Sequence, residues 1–281
     1  MLIQRVVTAV LLLTVLGLTL VVTNPLYFLA LLTVLVGLAT FEWLRLTLKS
    51  NLHWLAYCGG VVMAASAFWL ALSWARTGVE RNLVFEMAVL LSALVWLVAV
   101  PVRLYTAKID HRNASIIWSL FAPITLFATF GALAALWLMA GTWNLLSLLA
   151  LIWIADIAAY FGGRRFGRRK LAAQISPGKT QEGAAFGVAG VLIWLLATAH
   201  VDNSFAQALL KHWGWLGLIA SAVLLGVLAI MGDLFESYLK RQAGVKDSSA
   251  LLPGHGGVYD RVDAVVAVVP VAYLLVFGMN T

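Results

Sequence analysis

The chain has 281 residues, 63% of them hydrophobic and 11% charged, with a mean hydropathy of +0.96. Soluble domains carry about 25% charged and 45–50% apolar residues, so no water-soluble fold of this length hides so much apolar surface, and a polytopic membrane protein is expected. The net charge of +7 raises nucleic acid as a partner. The basic residues, however, fall in short loops beside apolar runs, where membrane topology accounts for them, so no nucleic acid is expected. The single cysteine, Cys58, allows no intrachain disulfide and indicates no redox chemistry.

The first apolar run, 6–22, follows Arg5 much as a secretory signal would. It is long, however, and passes into Thr23-Asn24-Pro25 without a small-residue cleavage pattern, so it reads as a retained span. Further runs follow at 26–44, 54–73, 83–100, 116–139, 145–161, 184–199, 215–231 and 264–279. Each is long enough, or nearly so, to cross about 30 Å of hydrocarbon. The fold class expected is an all-α, polytopic integral membrane protein with about nine transmembrane helices. Residues 1–140 carry little motif content. Residues 141–281 hold two polar segments, 162–183 and 232–263, and are the expected catalytic region.

Charge distribution sets the orientation. With a cytoplasmic N-terminus, the inside segments hold Arg5; Arg45 and Lys49; Arg103, Lys108 and Arg112; Arg164, Arg165, Arg168, Arg169, Lys170 and Lys179; and Lys240, Arg241, Lys246 and Arg261. These are 16 of the 19 Lys and Arg residues, leaving Arg76, Arg81 and Lys211 outside. One span more or fewer before Arg164 would scramble the asymmetry. Both polar segments then face the cytoplasm, where nucleoside triphosphates are found, and the C-terminus lies outside.

The run from 215 contains no proline, and its helical pattern continues to about Arg241. Asp233, Glu236 or Ser237, and Lys240 then share one face at spacings of three and four. A carboxylate at the end of an apolar span is costly unless paired or metal-bound; for Asp233 the structural alternative is an ion pair with Lys240. Lys246-Asp247-Ser248-Ser249 leads into Pro253-Gly254-His255-Gly256-Gly257. Its glycines let backbone N–H groups approach an anion, although an ordinary turn reads the same. A lone His255 is more often a polar loop residue than a catalyst. Asp260-Arg261-Val262-Asp263 opens the last span. In a helix the two acids share a face one turn apart, suited to hard cations, while acids at a helix N-terminus also serve as caps.

In the first segment Asp156, Tyr160 and Arg164 stand at i, i+4 and i+8, so Asp156 faces the side of the basic loop. Ser176-Pro177-Gly178-Lys179-Thr180 shares residues with nucleotide-binding loops but lacks the full Walker pattern and the strand before it. Ser, Lys, Thr and free N–H groups nonetheless suit a triphosphate, beside arginines that also anchor in anionic headgroups. Carboxylates that hold Mg²⁺, next to Lys, Arg and Gly that hold phosphates, point to phosphate chemistry at a membrane surface.

Together the two segments resemble the phosphatidate cytidylyltransferases (CDP-diacylglycerol synthases). The signature S-x-apolar-K-R-x4-K-D-x-small-x2-apolar-P/G/S-x-H-G-G-apolar-x-D-R-apolar-D is met at every fixed position from Ser237 to Asp263. Gly232-Asp233 precedes it, and D-x-x-A-Y-x-x-G at 156–163 and I-S-P-G-K-T-x-E-G at 175–183 accompany it. Residues 1–140 match only as a series of spans. The resemblance implies that CTP and phosphatidic acid give CDP-diacylglycerol and pyrophosphate, with Mg²⁺, at the bacterial cytoplasmic membrane. The attacking lipid phosphate is already ionised at neutral pH, so metal and Lys/Arg charge, rather than a strong base, must overcome the repulsion between two anions.

Set against that reaction, the candidate catalytic residues are Lys246, Asp247, Asp260, Arg261 and Asp263. The substrate-binding candidates are Ser176, Lys179, Thr180, Ser237, Lys240, Arg241, His255, Gly256 and Gly257, and the metal candidates are Asp156, Asp233, Asp247, Asp260 and Asp263. A cleft open both to lipid and to water is expected. A second cation and a homodimer are left open. A transporter would place its acids inside spans; here they cluster at one cytoplasmic surface, and apart from Glu42 and Glu86 few charges lie inside spans. A transferase of CDP-linked headgroups would show D-G-x2-A-R…G-x3-D-x3-D, which is absent. A cytidylyltransferase of isoprenoid ether lipids remains as the alternative.

Overall fold

The computed structural model describes residues 2–22, 24–80, 83–107, 109, 115–254 and 256–278. Arg81, Lys108 and Arg112, used above for orientation, and Met279, which closes the last predicted span, lie outside the described residues. Every predicted span has a helix: α1 (Leu2–Val21), α2 (Leu26–Thr47), α3 (His53–Thr77), α4 (Leu83–Leu94) continued by α5 (Val100–Tyr105), α6 (Ile116–Ala140), α7 (Thr142–Phe166), α8 (Gln181–Thr198), α9 (Phe205–Gln242) and α10 (Tyr259–Phe277). Among the described residues, seven helices are long and apolar enough to cross a membrane, counting α4 and α5 as one rod. The described apolar part of α1, Val10–Val21, is shorter. In α10 the charged residues Asp260, Arg261 and Asp263 precede an apolar run. The chain is an all-α polytopic membrane protein.

Two irregularities have visible causes. Between α4 and α5 lies a π-helical turn, Val95–Ala99, and Pro101 stands two residues beyond it. The proline ring crowds the carbonyl four residues back, at Leu97, and a widened turn relieves it. Helix α9 breaks at Gly214 (φ 64°), so its long arm starts at Trp215, as the apolar run predicts. That arm runs on through the polar residues to Gln242. One element goes beyond the all-α expectation: β1 (Lys170–Ala172) pairs antiparallel with β2 (Ser176–Thr180) in a small hairpin. The Lys170 ammonium braces it by donating to the Pro177 carbonyl at 2.8 Å.

Hydrocarbon gives helices no hydrophobic reason to associate, so close packing decides their placement. Helix α9 approaches α10 at Gly232, where a Cβ would lie 2.6 Å from the Asp263 carbonyl oxygen and 2.8 Å from Ala264 Cα. Any larger residue would push apart the two helices that carry Asp233 and Asp263. Two positions after Asp233, Phe235 sits among Trp43 of α2, Trp96 of the π turn and Trp118 of α6, with ring centroids at 5.7, 5.4 and 4.7 Å. This aromatic cage fixes the rotation of α9 about its axis.

Candidate active site

Asp233 and Glu236 of α9 and Asp263 of α10 each present a carboxylate oxygen, the three lying within 4.8 Å of one another. Like charges this close need a counter-charge. Two lysines supply part of it: Lys179 from β2 forms an ion pair with Asp233, and Lys240 lies 2.6 Å from Glu236. The expected alternative for Asp233, a pair with Lys240, is therefore not what forms. The other oxygen of Glu236, Oε1, is buried with no hydrogen-bond partner among the described residues. A buried acceptor without a donor, beside two more carboxylates, suits a hard cation. Glu236 is absent from the sequence-based ligand set, because helical spacing alone divides that place between Glu236 and Ser237. Ser237 is half-buried beside it on α9.

The cluster borders a cavity of about 460 Å³ whose lining includes Asp156, Tyr160 and Arg164 of α7, and Ser176, Lys179 and Thr180 of the hairpin, with Asp233 opposite. The i, i+4, i+8 spacing on α7 thus turns Asp156 toward the hairpin as expected. Thr180 also caps α8, its hydroxyl oxygen accepting the Gly183 N–H at 3.1 Å. Glu182 accepts the Arg168 and Arg169 N–H groups at 2.9 and 3.2 Å, closing the basic loop onto the start of α8. The cavity shares Leu171, Ala184 and Ile230 with an apolar groove between α8 and α9, further lined by Val188, Val227 and Leu234. Polar cavity and apolar groove are therefore contiguous.

The loop between α9 and α10 is fastened around Asp260. That carboxylate accepts from Lys240 at 2.9 Å, from the Gly257 N–H at 2.7 Å and from the Ser248 N–H at 3.1 Å. With these three donors, and with Lys240 shared between it and Glu236, Asp260 joins the loop to the cluster of Asp233, Glu236 and Asp263. Gly256 passes between Asp260 and Asp247: a Cβ there would meet Asp260 Oδ2 at 2.5 Å and Asp247 Cβ at 3.5 Å. Lys246, Asp247 and Arg261 are exposed. The Arg241 guanidinium donates to the Ile175 carbonyl at 3.4 Å, tying the end of α9 to the hairpin. His255 lies outside the described residues.

One residue of this network comes from the N-terminal part. Glu42 of α2 is fully buried and accepts from Ser248 Oγ (2.9 Å), Ser249 Oγ (2.6 Å), Val258 N–H (3.0 Å) and Tyr259 N–H (2.6 Å). A charge within an apolar run was the only signal of it in the sequence.

The sequence matches the profile of the Cytidylyltransferase family over residues 3–279. It is 35% identical over 285 residues to a phosphatidate cytidylyltransferase of Pseudomonas aeruginosa, covering 99% of this chain and 98% of that one. It is 34% identical over 266 residues to that of Helicobacter pylori, covering 94% and 87%. With the enzyme of the same name from Haemophilus influenzae it shares 45% identity over 130 residues, and there the match spans less than half of each chain, 46% and 44%. With both polar segments and nearly the whole length inside the match, the chain belongs to the cytidylyltransferase family.

Proposed function

We propose that the protein is a CTP:phosphatidate cytidylyltransferase, forming CDP-diacylglycerol and pyrophosphate at the cytoplasmic face of a bacterial inner membrane. The observation that carries this reading is the continuity of the acid-lined cavity with the apolar groove between α8 and α9. A water-borne nucleotide and a membrane-borne phosphate need such a meeting place. The basic residues at this end of the helices support the cytoplasmic orientation.

In the reaction a phosphate oxygen of the lipid attacks the α-phosphorus of CTP, the bond from that phosphorus to the bridging oxygen breaks, and pyrophosphate leaves with the bond electrons. Asp233, Glu236 and Asp263 would hold Mg²⁺, with Asp156 across the cavity. The ion would offset phosphate charge and stabilise the leaving pyrophosphate. Lys179, released from Asp233, would take a phosphate, and Ser176 and the hairpin N–H groups would orient the triphosphate. Lys246, Asp247 and Arg261 are exposed and would approach the nucleotide from the loop side. Lys240 is held by two carboxylates, so its part is to neutralise them. In this reading residues 141–281 carry the chemistry and residues 1–140 buttress it.

The test is CTP-dependent conversion of phosphatidic acid by purified protein in detergent, with and without Mg²⁺. Metal-dependent CDP-diacylglycerol and pyrophosphate are expected. Absence of product from folded protein, with product from an isoprenoid lipid phosphate instead, would replace the lipid substrate in this reading.

A further inference from the structure

A buried carboxylate in an apolar span is costly unless the protein compensates it. Glu42 forms no ion pair among the described residues; its compensation is the four donors from Ser248, Ser249, Val258 and Tyr259. Val258 is the N-cap of α10 and Tyr259 its first residue. The leading N–H groups of a helix have no acceptor within it, and a valine side chain provides none; α10 has no side-chain cap of its own. Glu42 supplies the missing cap from another helix, its charge facing the positive end of the helix dipole. The two serine hydroxyls bring the start of the glycine loop to the same carboxylate. Gly257 passes so near that an added Cβ would collide with Ser248 Oγ and the Glu42 carboxylate.

We infer that Glu42 is a positioning residue for the reaction proposed above, on which this inference rests. It fixes where α10 begins, and so where Asp263 stands against Asp233 and Glu236 and where Asp260 meets Lys240. The N-terminal helices thus set the geometry of the acidic cluster without touching substrate.

The experiment compares wild type with Glu42→Gln, which keeps the volume but turns an NH₂ toward groups that all donate. The Mg²⁺ concentration giving half-maximal turnover should rise about tenfold or more. In the absence of substrates, the rise in melting temperature caused by Mg²⁺ should shrink, and trypsin should cut after the exposed Lys246 faster than in wild type. In the Ser248→Ala/Ser249→Ala variant the same quantities should move in the same direction, and combining it with Glu42→Gln should add less than the sum of the two. A general packing defect would lower turnover at an unchanged Mg²⁺ requirement, and that result, or additive effects, overturns the inference. Should Glu42→Gln fail to fold, the serine variant alone decides: unchanged Mg²⁺ dependence and cleavage overturn it. Should wild type make no CDP-lipid, the proposed function fails, while Mg²⁺-dependent melting and tryptic cleavage still judge Glu42.

Discussion

Lys240 stands between two carboxylates from different helices, 2.6 Å from Glu236 one turn before it on α9 and 2.9 Å from Asp260 in the first turn of α10. The three side chains are 14, 2 and 4% exposed, so water screens them little. Lys240→Met leaves Glu236 without its counter-charge and Asp260 with only the Gly257 and Ser248 N–H groups. Removing one partner of a buried pair costs about 3–5 kcal/mol, so the melting temperature of the purified protein should fall by several degrees. A melting temperature equal to that of wild type would mean that the two acids are neutralised by something other than Lys240.

The ion pair of Lys179 with Asp233 behaves differently, because its side chains are 24 and 34% exposed. Partly solvated pairs contribute about 0–1 kcal/mol. Lys179→Ala should therefore leave the melting temperature nearly unchanged while raising KM for CTP about tenfold or more. Unaltered CTP kinetics would remove Lys179 from the phosphate site.

Asp233→Asn and Asp263→Asn each take one charge from the cluster. Turnover should drop by about 100-fold or more, and the stabilisation by Mg²⁺ should vanish with it. If either variant keeps half its turnover and its response to Mg²⁺, that aspartate is not a ligand.

Much of this arrangement was legible beforehand. Length and hydropathy locate the helices because each must cover a bilayer, and the lack of proline carried α9 past Met231 to the end of its polar arm. Helical spacing alone put Asp156, Tyr160 and Arg164 on one side of α7. Spacing fails where partners come from elsewhere in the chain. It groups Asp260 with Asp263 but gives no sign of the donors Lys240, Gly257 and Ser248 that come to Asp260 from other parts of the chain. It cannot choose Glu236 over Ser237, since the choice rests on Phe235 being held by three tryptophans. The hairpin at Lys170–Ala172 and Ser176–Thr180 is too short for any alternation to mark it.

Gly257→Ala should be damaging for a reason unrelated to backbone freedom, since its Cβ would overlap Ser248 Oγ and the Glu42 carboxylate. Displacing the groups it positions should lower turnover by about 100-fold, whereas Gly17→Ala, with nothing within 4 Å of the new methyl group, should behave as wild type. Equal activity of the two variants would show that the loop gives way at no cost.

The cap that Glu42 provides also imposes an order on biogenesis. Its partners Ser248 and Tyr259 follow 206 and 217 residues later. At about 5–20 residues per second of translation, α2 exists for roughly 10–40 s before α10 is made. Throughout that interval a carboxylate sits in an apolar segment with none of its eventual donors. The nascent helix must hold it near water until the arrival of α10 brings the donors that compensate it. A chain arrested short of α10 keeps that carboxylate without the Val258 and Tyr259 N–H groups that hold it in the finished protein.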